Sequence, residues 1–313
     1  MPHRGPCFDQ PVAPDGYVWW YIDGVSDDGR HGLTVIAFLG SVFSPWYAWA
    51  RRRGPTDPLQ HCAVNVVLYG AGGKRWAMTE RGPSQVARTA TTLRIGPSGL
   101  SFDGSVLTID IDEVTAPWPS RIKGRIMVTP EALTQHRIAL DEAGRHRWWP
   151  IAPRARIEAR FERPGRSWSG SGYFDTNDGD EPLERTFTRW HWCRGDVRDG
   201  AAILYEAQER SGARRLVAIR CDRTGAVEEI QAPPPRTLPP TRWWRMERPT
   251  RGETQPTVLS TMEDAPFYSR SVIATQIAGE PVRAVHESLT LDRFQAPWVQ
   301  AVLPFKAPRT WKS

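Results

Sequence analysis

The stretch from Trp168 to Trp192, W-S-G-S-G-Y-F-D-T-N-D-G-D-E-P-L-E-R-T-F-T-R-W-H-W, sets carboxyl, phenol and imidazole groups among aromatic side chains. Read as a strand over 169–175, its alternation puts Tyr173 and Asp175 on one face and Phe174 on the other. A carboxyl beside a phenol on a glycine-rich strand can sit against a bound ligand, because glycine permits close approach. An acidic turn of Asp175, Asp178, Asp180 and Glu181 is expected to follow, and the alternative is a capped turn with a solvated carboxylate. Three other sets share this character. G-R-H-R-W-W-P brings His146 and Trp148 to one face if extended, D-P-L-Q-H places His61 ahead of an apolar run, and Trp190-His191-Trp192 alternates aromatic and titratable groups. A histidine beside a tryptophan can be a satisfied core or edge residue. Two such pairs can also line one pocket.

The elements that would position these groups are strands. Aromatic and β-branched runs over 17–22, 33–43, 62–69, 76–81, 88–95, 100–103, 106–111 and 122–129 are separated by Gly/Asp turns, the pattern of an all-β barrel or sandwich. A helix is expected over 130–140, where Pro130 suits a first helical position. The Trp/Tyr-rich segment 45–53 reads as a bend, and D-G-V-S-D-D-G (23–29) as a structural turn, although its carboxyls are further candidates. Trp19, Gly24, Asp28 and Gly29 match Trp190, Gly195, Asp199 and Gly200 at one offset, each set followed by an apolar strand. That repeat points to two similar β domains in tandem, with strands continuing over 202–208, 215–221, 227–231, 257–260, 270–278 and 281–291. The segment 296–305 is expected to close a barrel or pack on its mouth.

Composition narrows the function. With 313 residues and 40% hydrophobic content, two domains of a globular protein fit. No run approaches the ~18 apolar residues of a membrane span, and the N-terminal segment has no apolar signal core. The four cysteines have neither zinc-site nor disulfide-framework spacing. The net charge of +6 is spread along the chain without a nucleic-acid-binding module, so a nucleic-acid partner is not expected, and an anionic membrane surface fits the same charge as well or better. Fifteen Trp are too many to be wholly buried, so some are expected at a ligand surface or interface.

Longer stretches carry a resemblance. Y-I-D-G-V-S-D-D-G-R-H-G-L-T-V-I-A-F-L-G-S-V-F-S-P-W-Y, D-P-L-Q-H-C-A-V-N-V-V-L-Y-G, W-A-M-T-E-R-G and G-Y-F-D-T-N-D-G-D-E-P-L resemble the carotenoid 1,2-hydratase (hydroxyneurosporene synthase) family of phototrophic bacteria over about 16–300. The resemblance implies two tandem lipocalin-like antiparallel β-barrels with little helix, taken here as 1–180 and 181–313. It implies water addition to the terminal C1=C2 bond of acyclic carotenes such as neurosporene and lycopene, with no redox cofactor and no metal. It also implies a catalytic set of His146, Trp148, Tyr173 and Asp175, in a cytoplasmic protein peripheral to the inner, photosynthetic membrane.

Such chemistry needs a proton delivered to C2 and a tertiary cation at C1 that water captures. A carboxyl in an aromatic pocket suits the first step, since burial disfavours its charged form, and Asp175 is the candidate. Trp148 and Tyr173 would face the cation, Tyr173 alternatively orienting the carboxyl, and His146 would position water and take its proton. The other aromatics would line a tunnel for the polyene. A lipocalin-like polyene carrier without catalysis, and a two-barrel cyclase or isomerase, use the same features.

Overall fold

The protein is described from a computed structural model covering residues 5–70 and 72–310. It is all-β with little helix, in two compact units, one of 1–138, 145–182 and 300–313, the other of 139–144 and 183–299. The first unit is built on β1 (Tyr17–Ser26), β2 (His31–Leu39), β3 (Cys62–Gly70), β4 (Arg75–Arg81), β5 (Val86–Arg88), β6 (Thr92–Ile95), β7 (Ser98–Phe102), β8 (Leu107–Val114) and β9 (Arg121–Pro130). β11 (His146–Arg163) and β12 (Arg166–Gly179) complete it, and the short β10 (Ile138–Ala139) pairs with β11. The order β4-β3-β2-β1-β12-β11-β9-β8-β7-β6-β5 makes one antiparallel sheet that curls into a nearly closed barrel.

Alternation decides what fills it. Val18, Trp20 and Ile22 of β1, Val64 and Val66 of β3, Ile109 of β8, Ile126 of β9 and Phe174 of β12 all join one apolar core. Arg81 at the end of β4 reaches Glu113 on β8 with two bonds of 3.1 and 2.8 Å, and Ser98 on β7 donates to the same carboxylate at 2.8 Å. This buried, bidentate pair ties the β4 end of the sheet to the strands beyond β9.

The second unit has β13 (Phe187–Val197), β14 (Gly200–Glu209), β15 (Arg214–Asp222), β16 (Val227–Glu229), β17 (Pro235–Leu238), β18 (Arg248–Arg251), β19 (Thr257–Asp264), β20 (Tyr268–Ile277) and β21 (Glu280–Thr290). Seven of these form the sheet β16-β15-β14-β13-β21-β20-β19, and β17 pairs with β18. The repeat found in the sequence has a structural counterpart. β13 lies between β14 and β21 as β1 lies between β2 and β12, and Ile22 and Cys193, at the offset of the repeat, both enter the core of their own unit.

The helices differ from expectation. Residues 45–51 are not a bend but helix α1 (Pro45–Arg51), with Pro45 in its first turn and the Ser44 hydroxyl capping the Trp46 N–H. The others are α2 (Leu183–Thr186), α3 (Leu291–Gln295) and α4 (Pro297–Lys306), the last covering most of the segment 296–305. No helix forms over 130–140. Glu131 N–H bonds Arg154 O, Thr134 N–H bonds Ile151 O, and the Thr134 hydroxyl donates to Pro150 O at 2.6 Å. The carbonyls of β11 thus take the donors that a helix would have used internally.

His286 on β21 is 1% exposed, its Nε2 3.0 Å from Pro249 O, and burial pushes its pKa down to about 4 from 6.5. Between those values the unfolded chain takes up a proton that the folded chain refuses, so stability falls as pH drops below 6.5. Acidification to pH 5 is expected to remove about 2 kcal/mol through this group. Denaturant melts of wild type and His286→Gln at pH 7 and 5 check this: the variant should lose less on acidification.

Candidate active site

β12 is central, between β1 and β11, and directly paired residues of neighbouring strands share a face. Opposite Tyr173, Asp175, Asn177 and Gly179 of β12 stand Asp23, Tyr21, Trp19 and Tyr17 of β1. From the other side, β11 sets Trp148 opposite Asn177 and His146 opposite Gly179. All of these lie on the face turned away from the apolar barrel core, which receives Val18, Trp20, Ile22, Trp149 and Phe174 instead. The catalytic candidates therefore lie outside the barrel core, not in a tunnel through it, and they are nonetheless buried. Trp148, Tyr173 and His146 are 0% exposed and Asp175 is 5% exposed.

The sequence explains how Trp148 reaches the carboxyl. In W-W-P-I-A-P, two prolines that cannot donate to a ladder coincide with register shifts between Trp149 and Ala152 and between Ala152 and Ala155. Just before these bulges, Trp148 Nε1–H donates to Asp175 Oδ2 at 2.9 Å, and the Tyr173 hydroxyl donates to the same oxygen at 2.7 Å. Tyr21 packs edge-on to Tyr173, ring centroids 6.0 Å apart. Three of the four catalytic candidates, Trp148, Tyr173 and Asp175, are therefore in one hydrogen-bonded cluster.

His146 belongs to a second cluster on the same face. Its Nδ1 is 2.9 Å from the Tyr17 hydroxyl and its Nε2 is 3.7 Å from Glu181 Oε1. Tyr17 stacks on Trp19, centroids 4.9 Å apart. A Cβ at position 179 would sit 2.5 Å from the Tyr17 ring and 2.7 Å from His146 Nδ1, so only glycine leaves room for this pair. The two clusters are four residues apart on β12, about 13 Å at ~3.3 Å per residue. Trp19, Asn177 and Trp148 form the row between them.

The expected acidic turn is not one. Asp175 to Gly179 continue β12, because both neighbouring strands pair with them. Arg147 bonds Asp178 at 2.6 Å and Asp180 twice at 2.8 Å, which holds the Asp180 carboxyl below its ordinary pKa. Glu181 has Arg145 3.3 Å away. Asp23 likewise is no turn residue: it is 2% exposed, within β1 and opposite Tyr173. Only Asp27 and Asp28 serve the hairpin, Asp27 paired with Arg156 and Asp28 bonded to Ser26.

The remaining histidines stand elsewhere. His61 stacks on Tyr47 and its Nδ1 is 2.8 Å from Glu80, a carboxylate that also holds Arg309. His191 is in the second unit, where it pairs with Ser288 at 3.1 Å and lines a separate cleft of 220 Å³ with Arg189, Glu206 and Gln208. Among the described residues, no group of three or more His, Cys, Asp or Glu is set to hold a metal ion. Sequence reasoning missed Tyr17, Trp19 and Tyr21 as site residues, and it read Asp23 and Glu181 as turn residues. The alternation of Tyr17, Trp19, Tyr21 and Asp23 was the available signal.

Comparisons with known proteins bear on the family and the fold. The family described as carotenoid hydratase CrtC matches residues 35–313. Acyclic carotenoid 1,2-hydratase of Thiocapsa roseopersicina is 54% identical over 310 residues, 98% of this chain and 76% of that protein. The enzyme of the same name from Rubrivivax gelatinosus is 48% identical over 97% of this chain and 76% of its own. Among solved structures, a putative AttH from Nitrosomonas europaea superposes with a TM-score of 0.59 at 16% identity, covering 88% of this chain and 92% of that one. Kievitone hydratase from Nectria haematococca gives 0.55 at 9% identity, covering 92% and 98%. At such identities these two show the fold alone. With a family match over most of its length and relatives near half identity, the chain belongs to the carotenoid hydratase family.

Proposed function

We propose that this hydro-lyase adds water to the terminal C1=C2 bond of an acyclic carotene such as neurosporene or lycopene, by proton transfer alone. The observation that carries the reading is the Trp148–Asp175–Tyr173 cluster: one buried carboxyl held by two neutral donors on an aromatic face. In this reading the carboxyl of Asp175 carries the proton that is transferred. Transfer of that proton to C2 leaves a tertiary cation at C1. The alkene has no handle for hydrogen bonds, so its cation is best stabilised by ring faces, and the row of Trp19 and Trp148 supplies them. Water then bonds to C1 and gives its proton to His146; the imidazolium releases that proton to solvent, and Asp175 takes one back, so both groups return to their starting states. Atoms balance as one C–H and one C–OH formed for one water consumed.

The separation of the two clusters suits this chemistry. A donor and an acceptor with an alkene unit and a water between them cannot touch. Inverting glycosidases, which also keep a water between two groups, hold them about 6.5–9.5 Å apart. Tyr17 and Glu181 hold the imidazole, as second partners hold a catalytic histidine generally.

Incubation with lycopene in detergent and heavy-oxygen water, read by mass spectrometry, tests the function. The reading expects a product heavier by one water with its oxygen from solvent. Unchanged lycopene co-purifying with the protein would make it a carrier, and an isomer of equal mass would make it a cyclase or isomerase. Within the site, Tyr173→Phe removes the phenol donor from Asp175 and is expected to lower turnover about 10- to 100-fold in a protein that still folds. Wild-type turnover would show that the phenol does not hold the acid.

We also propose a membrane-peripheral location, supported by the hydrocarbon nature of the substrate. Among the described residues, no helix is long and apolar enough to cross a membrane.

A further inference from the structure

The second unit exposes a cluster of large aromatic groups that the site does not use. Trp243 is 75% exposed, Trp244 42% and Trp298 49%. Trp244 and Trp298, the latter at the start of α4, stack with centroids 5.4 Å apart and ring planes at 20°. Arg242 and Arg245 flank the pair of tryptophans in sequence, both exposed, with the Arg242 guanidinium 5.2 Å from the centre of the Trp243 ring.

The turn that presents them is held firmly. The Asp264 carboxylate accepts from Trp243 N–H at 2.7 Å and from Trp244 N–H at 3.3 Å. Thr241 N–H bonds Met246 O, the Thr241 hydroxyl accepts from Met246 N–H, and Arg293 donates to Trp244 O at 2.8 Å. Arg245 takes a positive φ of 51°, which turns the chain sharply after the second tryptophan. Five hydrogen bonds thus fix a backbone whose side chains point at solvent. Folding alone gains nothing from that exposure, and a surface that meets a partner gains from the fixed presentation.

We propose that this turn, with Trp298, is the surface by which the protein docks on an anionic lipid bilayer. Indole rings favour the membrane–water interface because an apolar body carries an N–H that can stay among headgroups. Arginines at the rim of the patch match anionic headgroups and keep their charge outside the hydrocarbon. Glu247 is the exposed acidic neighbour, and Arg189 lies 3.9 Å from it. A lipid surface is preferred to a protein partner on the strength of the substrate chemistry, so the inference rests on the hydratase reading. An acyclic carotene is a hydrocarbon held in the bilayer, and the enzyme must meet it there.

The test is sedimentation of the full chain with vesicles of phosphatidylcholine alone and of phosphatidylcholine with phosphatidylglycerol. Wild type should bind the anionic vesicles and lose binding as salt rises. Trp243→Ser with Trp244→Ser should abolish it. Arg242→Gln with Arg245→Asn, the asparagine chosen to tolerate the positive φ, should weaken it about 30-fold. Turnover of lycopene in detergent micelles, measured beside it, should be unchanged in both variants. Wild-type binding by the tryptophan variant would overturn the proposal. So would a wild type that ignores vesicles but binds native membranes only while their proteins are intact, which would assign the patch to a membrane protein. Absent turnover in micelles, with vesicle binding intact, would instead strike at the hydratase reading.

Discussion

Replacing Asp175 with asparagine will leave a folded protein whose turnover is about 10²- to 10⁴-fold lower, the range that a general acid supplies. The substitution is nearly isosteric. Its amide oxygen can still accept from Trp148 and Tyr173, so the hydrogen-bonded cluster and the packing around it survive. The proton for C2 is lost. Turnover measured together with the melting midpoint checks both halves, and near-wild-type turnover would remove Asp175 from the acid role. The second unit offers an internal comparison. Trp192, at the position corresponding to Tyr21 by the repeat, pairs with Glu287 on β21, so Glu287 takes the place of Asp175. There the carboxylate meets the fully buried guanidinium of Arg270. Glu287 faces a guanidinium, whereas Asp175 is held by an indole and a phenol. The two units thus place a carboxyl at the same topological position in opposite electrostatic settings.

The largest expected loss of stability comes from the buried pair Arg81–Glu113. Arg81→Met leaves the Glu113 carboxylate buried without its guanidinium, with only Ser98 donating to it among the partners described above. An uncompensated buried charge of this kind costs about 3–5 kcal/mol. The double variant Arg81→Met/Glu113→Leu should recover most of that, because two apolar groups need no partner. Denaturant unfolding of the three proteins measures it. A single-variant loss below about 1 kcal/mol would mean that the pair does not hold the barrel's end.

Much of this was legible locally. The strands announced themselves through β-branched and aromatic runs between Gly/Asp turns, and alternation placed Tyr173 and Asp175 on one face. His146 and Trp148 stood out as one extended pair among several, and the family resemblance singled them out. What local pattern could not show was fixed by distant chain. Tyr17 meets His146 across 129 residues. T-N-D-G, composed like a turn, stays in β12 because β1 and β11 pair with it on both sides. For the same reason Asp23, in a stretch rich in turn residues, is a buried strand residue. The run after Pro130 has helical composition, but the open carbonyls of β11 compete for its N–H groups and win. Alternation also left open which face was the barrel's interior, and the aromatic face proved to be the other one.

The account turns on a proton delivered from Asp175 to carbon ahead of water, and turnover in deuterium oxide tests that most directly. Mass-spectrometric fragmentation of the product should find a single carbon-bound deuterium at C2 beside the new hydroxyl at C1, with wild type slowed in deuterium oxide and Asp175→Asn making almost no labelled product. A hydroxylated product with no deuterium on carbon, or one labelled equally well by the Asp175→Asn variant, would contradict it.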